Sequence, residues 1–441
     1  MKTDKIFSKM REVLLSKNFA SRHKISQIDF TRNRILTFVN TVSIILNLVR
    51  DSIASEIDKF CQKSSLPIFT KSAFSQARHK LTETAFIELN NVLIKNFYQQ
   101  TKSLGFAELT VLAIDGYNVE LPVSKEIKKY FGGASNQSKS ILPMSCSSEL
   151  YDTGSGLTIC AANEPYAASE RDLAIKHIND FLSMNLRIDN FIILFDRGYP
   201  SLFLLVYLIS CNIHFLMRCC TLFISEVNNA VSNGEKDQEI LLPLKKLTKD
   251  ERKILMERFP DFNLFQNLSL RICLVELETG EVEILLTSLI DSKKYPHSIF
   301  CEFYFNRWGI EGDIGFQKTR MEIGNYSGES VLAVQQEFHA TILNKNATTL
   351  LALEAKLELD IERQGKTYKH EYEINYSQAF SKMKDRFVMA LLDENVDLKI
   401  FCMTMKASMR KHTEPIRPGR KFKRQVKYPG KKFHKNNRRV A

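Results

Sequence analysis

Ile35, Phe38, Val39, Val42, Ile45 and Leu46 recur at steps of three and four, the spacing that lays one apolar stripe along a helix. The surrounding run, residues 35–49, is too short and too polar to span a bilayer, which needs about 20 apolar residues, so it reads as a buried helix. After Pro67, Thr70 or Ser72 can cap a short helix that runs to Leu81. On that helix Phe74, Ala77 and Leu81 face inward, which leaves Lys71, Arg78, His79 and Lys80 mostly outward. The outward face is either a DNA-contacting surface, with Lys71 and Arg78 on phosphates, or an ordinary solvated helix face. Residues 1–105 therefore read as a helical N-terminal domain, with DNA binding as its candidate role.

The texture then changes. Residues 109–114 (LTVLAI) and Phe191–Phe195 (FIILF) are short, continuous apolar runs, as in strands buried on both faces of a sheet. Residues 157–161 predict a further strand, and Ser169 caps a helix to Leu182. Alternating strand and helix predicts a layered α/β domain over 106–217. Residues 228–239 (NNAVSNGEKDQE) read as a polar loop, whereas 270–275 and 282–289 flank a Glu-Thr-Gly-Glu turn and read as a hairpin. Residues 218–300 are thus a β-rich insertion. Helices return over 301–405, and Ala379, Phe380, Met383, Phe387, Val388 and Leu391 give one helix over 376–392 a core-facing stripe.

Charge divides the chain unevenly. The 441 residues carry 62 Lys plus Arg against 50 Asp plus Glu, a net +12. Residues 406–441 alone hold 14 basic residues and one acid, Glu414, so the body before them is near neutral. This tail interleaves its charge with Pro, Gly, Phe and Tyr and reads as disordered. Its uses are salt-sensitive, sequence-independent DNA affinity, RNA or an anionic membrane surface, or solubility; no amphipathic helix accompanies it to favour the membrane. The nine cysteines are scattered with no C-x-x-C pair, which argues against a disulfide framework and a structural zinc. With no signal-peptide pattern at the N-terminus, the reading is cytoplasmic.

Each apolar run ends in an aspartate: Asp115-Gly116-Tyr117 and Asp196-Arg197-Gly198-Tyr199. In open α/β sheets, sites form at the carboxyl ends of strands. Two neighbouring carboxylates repel unless something cationic lies between them, and hard oxygen ligands suit Mg²⁺; alternatively, each Asp simply caps the turn that follows. The third element is residues 304–318. On a helical wheel at about 100° per residue, Tyr304, Arg307, Glu311 and Lys318 share an arc of roughly 60°, with Asp313 about opposite. Glu311 is therefore the acid grouped with the basic residues, unless it is a plain i, i+4 partner of Arg307. Gly309, Gly312 and Gly315 recur beside that face. Either the helix is irregular there or another backbone or DNA comes close.

Tyr304, two residues, Arg307, three, Glu311, six, Lys318 resembles the signature of a large group of bacterial insertion-sequence transposases, the insertion-sequence four family. Asp115 and the Asp196-Arg-Gly-Tyr turn resemble its first and second acids, and residues 70–81 and the Asn325-Tyr-Ser-Gly328 stretch are also similar to the family. The likeness runs over roughly residues 30–400 and excludes the tail. It implies a DDE transposase on an RNase H-like fold interrupted by the β-rich insertion. Asp115, Asp196 and Glu311 would then be both catalytic acids and ligands of two Mg²⁺ ions, with Mn²⁺ as the substitute. It also implies that Tyr304, Arg307 and Lys318 hold transposon-end phosphates. Trp308, the chain's one tryptophan, would be a platform for a flipped base or else a core aromatic. The implied partners are double-stranded DNA, as transposon ends and target, and a second copy in a homodimer, in a bacterial, nucleoid-associated setting. The rivals are a catalytically silent transposase-derived DNA-binding protein and a metal-dependent nuclease without strand transfer.

Overall fold

The computed structural model describes residues 2–48, 51–101, 105–135, 141–276 and 280–417. Nine strands form one sheet among these residues: β1 (Thr110–Glu120), β2 (Gly133–Ser135), β3 (Ile141–Asp152), β4 (Leu157–Pro165), β5 (Phe191–Phe195), β6 (His214–Cys219), β7 (Asp237–Pro243), β8 (Asn267–Glu276) and β9 (Val282–Thr287). Their order is β2-β3-β1-β5-β6-β9-β8-β7, with β4 also paired to β3. β1, β5 and β6 run parallel, joined through the helices Glu170–Ser183 and Leu202–Ser210. The outer strands are antiparallel.

Period-two alternation sorts the central strands between two cores. Val111 and Ala113 of β1, Ile192 and Leu194 of β5 and Leu216 of β6 belong to one apolar cluster, with Phe303, Ile310 and Ile314. Leu112, Ile114, Ile193, Phe195 and Met217 belong to the other. That second cluster is the larger and takes in the helices at both ends of the chain, from Ile6 to Met409. The helix Thr3–Leu15 packs on the C-terminal helices: Arg11 donates to the carbonyls of Ala390 and Val396, and Phe7 lies 5.0 Å from Phe387. The long helix Val331–Arg363 runs between these groups. Its Asn344 donates to the carbonyl of Leu46. That carbonyl belongs to the helix Phe38–Asn47, which buries Phe38, Val42, Ile45 and Leu46 of the expected stripe, but starts after the exposed Ile35 and also buries Thr41, Ser43, Ile44 and Asn47.

Several local expectations change. The 228–239 segment is not a loop: it holds the end of the helix Ser225–Ser232 and the start of β7. The strands β7, β8 and β9 of the β-rich segment pair with one another and continue the central sheet through β6. Of the expected Glu-Thr-Gly-Glu turn, 278–281, the first two residues lie outside the described residues. The helix expected over 376–392 is two, Tyr376–Met383 and Arg386–Leu392, broken where Asp385 takes φ 64°. The expected tail begins inside the helix Leu398–Arg410, where Lys406 pairs with Glu354 at 3.0 Å; from residue 418 it lies outside the described residues. Among the described residues no helix is long and apolar enough to cross a membrane, and all nine cysteines are free thiols.

Candidate active site

The first acid stands within a strand. Contrary to the strand-end expectation, β1 continues to Glu120, because antiparallel pairing with β3 carries it five residues past Asp115. By alternation from Val111 and Ala113, Asp115 points to the face covered by the helix Trp308–Thr319. Parallel register pairs Ala113 with Leu194 and Phe195 with Met217. Two residues beyond the first pair and one beyond the second, Asp115 on β1, Asp196 just past the end of β5 and Arg218 on β6 fall level with one another. Asp196 does follow a strand end, and its turn is anchored by Tyr199, which is buried against Phe195.

The signature residues close over this row. The helix expected over 304–318 is interrupted at 306–307, between Phe300–Phe305 and Trp308–Thr319, yet Tyr304, Arg307 and Glu311 stay together, and Lys318 feels the same Asp115 carboxylate. Tyr304 donates to Asp196 Oδ1 at 3.3 Å. Arg307, only 2% exposed, bonds Glu311 at 2.6 Å and lies 3.9 Å from Asp115 Oδ2. Its guanidinium sits 5.4 Å from the rings of both Tyr304 and Trp308. Its Nε and one terminal nitrogen have no hydrogen-bond partner despite their burial. Lys318 holds its ammonium 5.0 Å from the Tyr117 ring; burial lowers its pKa, and the Asp115 carboxylate opposes this. Trp308 is 55% exposed, which removes the core-aromatic reading.

Burial pushes the Asp115 carboxyl up to about 6. The Gly116 N–H, 2.9 Å from Oδ1, and Arg307 act against that rise, while Glu311 and Asp196 add to it. One guanidinium thus offsets only part of the gathered negative charge. Three hard carboxylates around a buried cationic place suit a divalent ion by donor chemistry. Nevertheless, among the described residues no three acid, His or Cys side chains stand close enough to hold one. Arg307 occupies that ground.

Asp313, on the far side of the wheel, has a different task. It accepts from Gln317 at 2.8 Å and pairs with Lys345 at 3.0 Å. Gln317 also donates to Glu149 at 3.0 Å. Glu149 lies opposite Asp115 in the β1–β3 register, fully buried, and accepts from Tyr117 and Thr158. These groups bolt the signature helix to the sheet. Sequence spacing missed Glu149, Gln317 and Lys345, since their partners are more than a hundred residues away or on another element. It also missed the ion pair of Arg218 with Glu283, 3.2 Å apart on β6 and β9. Burial raises the Glu283 carboxyl, with Arg218 and Arg307 opposing and Asp196 adding, so a fourth acid borders the site.

Arg78 corrects the outward-facing expectation. It is 2% exposed and donates to Gln336, Ser327, Glu337 and the carbonyl of Ala333. The helix Lys71–Arg78, capped by Thr70 as expected, turns this cation into the protein, where Glu337 neutralises it. Lys71 is exposed. The helix Trp308–Thr319 is unbroken through its glycines, and a Cβ at Gly312 or Gly315 meets nothing within 4 Å, so among the described residues no other backbone comes close to these two. Gly309 and Gly312 border a cavity of ≈ 630 Å³ with Lys345 and Tyr376.

Two acids at neighbouring positions of the mixed sheet, Asp115 and Asp196, thus meet a third carboxylate, Glu311, through Arg307 and Tyr304. Residues 107–346, just over half of the chain, match the family described as Transposase DDE domain. The chain belongs to that family, a transposase family. Among solved structures, the cryo-EM synaptic complex of piggyBac transposase with hairpin DNA is similar at a TM-score of 0.45 and 9% identity, over 91% of this chain and 84% of that one. None of the curated proteins matches.

Proposed function

We propose that this protein is a DDE transposase of the insertion-sequence four kind, which cleaves DNA at its element's terminal inverted repeats and joins the ends to a target. One observation carries the reading: Asp115 and Asp196 stand abreast while Arg307 spans from Asp115 to the Glu311 of the complete signature. The order of the three-strand meander β1, β3, β4 followed by parallel β5 and β6 supports an RNase H-like core. Residues 218–300 would be its insertion, and residues 1–105 the helical module ahead of it.

Asp115, Asp196 and Glu311 would hold two Mg²⁺ or Mn²⁺ ions. Bound there, such ions supply Lewis acidity that sharpens the attacking hydroxyl and carries charge on the departing 3′ oxygen. The chain's own groups do the rest. Arg307 and Lys318 grip phosphate oxygens, Arg307 as a planar fork and Lys318 as a point charge. Tyr304 orients Asp196 through its hydroxyl and lends its ring to Arg307. Trp308, exposed beside that arginine, offers a flat face to an unstacked base. Lys71 and the basic tail add sequence-independent phosphate contacts. A homodimer brings two ends together.

The test is an assay with Mg²⁺, DNA bearing the element's ends, and a target duplex. Asp115→Asn, Asp196→Asn and Glu311→Gln should each abolish both end cleavage and joining. Activity that survives Glu311→Gln but is lost with Asp313→Asn would overturn the choice of third acid. Cleavage without joined product would replace transposition with hydrolysis.

A further inference from the structure

The carboxylates at this site are arranged around a guanidinium. Arg307 holds Glu311 at 2.6 Å and stands 3.9 Å from Asp115, with the rings of Tyr304 and Trp308 each 5.4 Å away. At 2% exposure, two of its nitrogens still lack hydrogen-bond partners. A buried donor without a partner costs roughly 1–3 kcal/mol, more when charged, so Arg307 is underserved where it stands. A phosphate group, with several acceptor oxygens, serves it better than one carboxylate. Glu311, in turn, is tied up as long as it accepts from Arg307.

We propose that Arg307 is a positioning residue that makes cation binding and DNA binding interdependent. In the DNA-free protein it keeps Glu311 from the cation. A DNA phosphate draws the guanidinium away, and Glu311 is released to join Asp115 and Asp196. The inference rests on the proposed two-ion reading of these acids and adds an order to it: the site completes itself only on DNA. A nuclease activity idling on free solvent is thereby suppressed. The nearby Trp308 and Tyr304 rings stay within reach of the guanidinium as it changes partners, and the anchorage of the helix through Asp313 and Gln317 confines the change to side chains.

The coupling is measurable as affinity, without turnover. Mn²⁺ binding to the full chain is followed by electron paramagnetic resonance, with and without a precleaved duplex carrying the element's end. In the wild type the duplex should tighten Mn²⁺ binding by roughly tenfold or more, and Mn²⁺ should tighten duplex binding by the same factor, since coupling is reciprocal. Arg307→Gln should bind Mn²⁺ more tightly than wild type in the absence of DNA and bring the coupling factor to about one. Arg307→Lys, which keeps the charge but loses the fork, should fall between. Wild-type Mn²⁺ affinity that is the same with and without duplex overturns the proposal, and this reading needs no variant to fold. So does a coupling factor that survives Arg307→Gln in a variant with wild-type circular dichroism. If Mn²⁺ binding is insensitive to Asp115→Asn and Asp196→Asn even on DNA, the two-ion reading itself fails. If it is sensitive to them but uncoupled, only the role given to Arg307 fails.

Discussion

Arg307 and Arg78 are both 2% exposed, yet they live in opposite circumstances. Arg78 has its guanidinium served by Gln336, Glu337, Ser327 and a carbonyl; Arg307 is left short of partners. A satisfied buried cation is a structural tie, and an unsatisfied one beside several acids is available for exchange. Arg78→Ala should therefore cost about 3–5 kcal/mol of stability, because it strands the buried Glu337 carboxylate. Denaturant unfolding measures this. The salt dependence of DNA binding in the folded fraction should not change, whereas loss of a phosphate contact would reduce the slope by about one. Nothing in the spacing of residues 70–81 separates these two fates. The wheel gives Arg78 an outward azimuth, and only the arrival of Glu337, 259 positions later, reverses it.

The helix Trp308–Thr319 shows how one element can be finished on one face and open on the other. Its Glu311 is held by Arg307, just ahead of the helix, which also reaches toward Asp115; Asp313 and Gln317 tie it to Lys345 and Glu149. Gly312 looks into the ≈ 630 Å³ cavity with nothing within 4 Å of a Cβ. Gly312→Ala should then stabilise the protein by up to about 1 kcal/mol through helix propensity alone, read as a higher denaturation midpoint at unchanged cooperativity. A loss of stability would mean that the glycine face is covered. The grouping of Tyr304, Arg307, Glu311 and Lys318 was legible from the sequence because helical periodicity survives the interruption at 306–307. Phe191–Phe195 was legible too, since an apolar run bounded by turns has few alternatives. The continuation of β1 through Asp115 was not, because it depends on pairing with β3, and sequence pattern does not reveal a partner strand. Arg218 and Glu283 were hidden for the same reason: they meet only through the β6–β9 register.

Across the whole molecule, two buried histidines set an acid limit. Burial, with Lys176 adding, pushes His177 and His339 each down to about 3 from 6.5; at His177 a backbone contact with Ser148 opposes the shift. A base whose pKa is depressed by folding destabilises the fold when it must be protonated. The penalty is therefore absent above pH 6.5 and grows as pH falls from there toward 3, by about 1.4 kcal/mol per unit for each histidine. Glu149 and Asp152, raised by burial, work in the opposite sense, so the clean measurement is a difference. Between pH 6 and 4 the wild type should lose stability faster than a His177→Gln, His339→Gln double variant, and equal slopes would refute this. The shared core of the two chain ends also has a consequence in time. The helix Thr3–Leu15 is closed off by the segment from Arg386 to Arg410. At a synthesis rate of about 5–20 residues per second, the first helix waits roughly 20–80 s for these C-terminal partners to be made. For that interval the buried face of Ile6, Phe7, Met10 and Leu14 has only part of its cover, from the helix Thr84–Gln100. During biosynthesis the first helix therefore stays half-packed on the early helix Thr84–Gln100 until the segment from Arg386 to Arg410 is made.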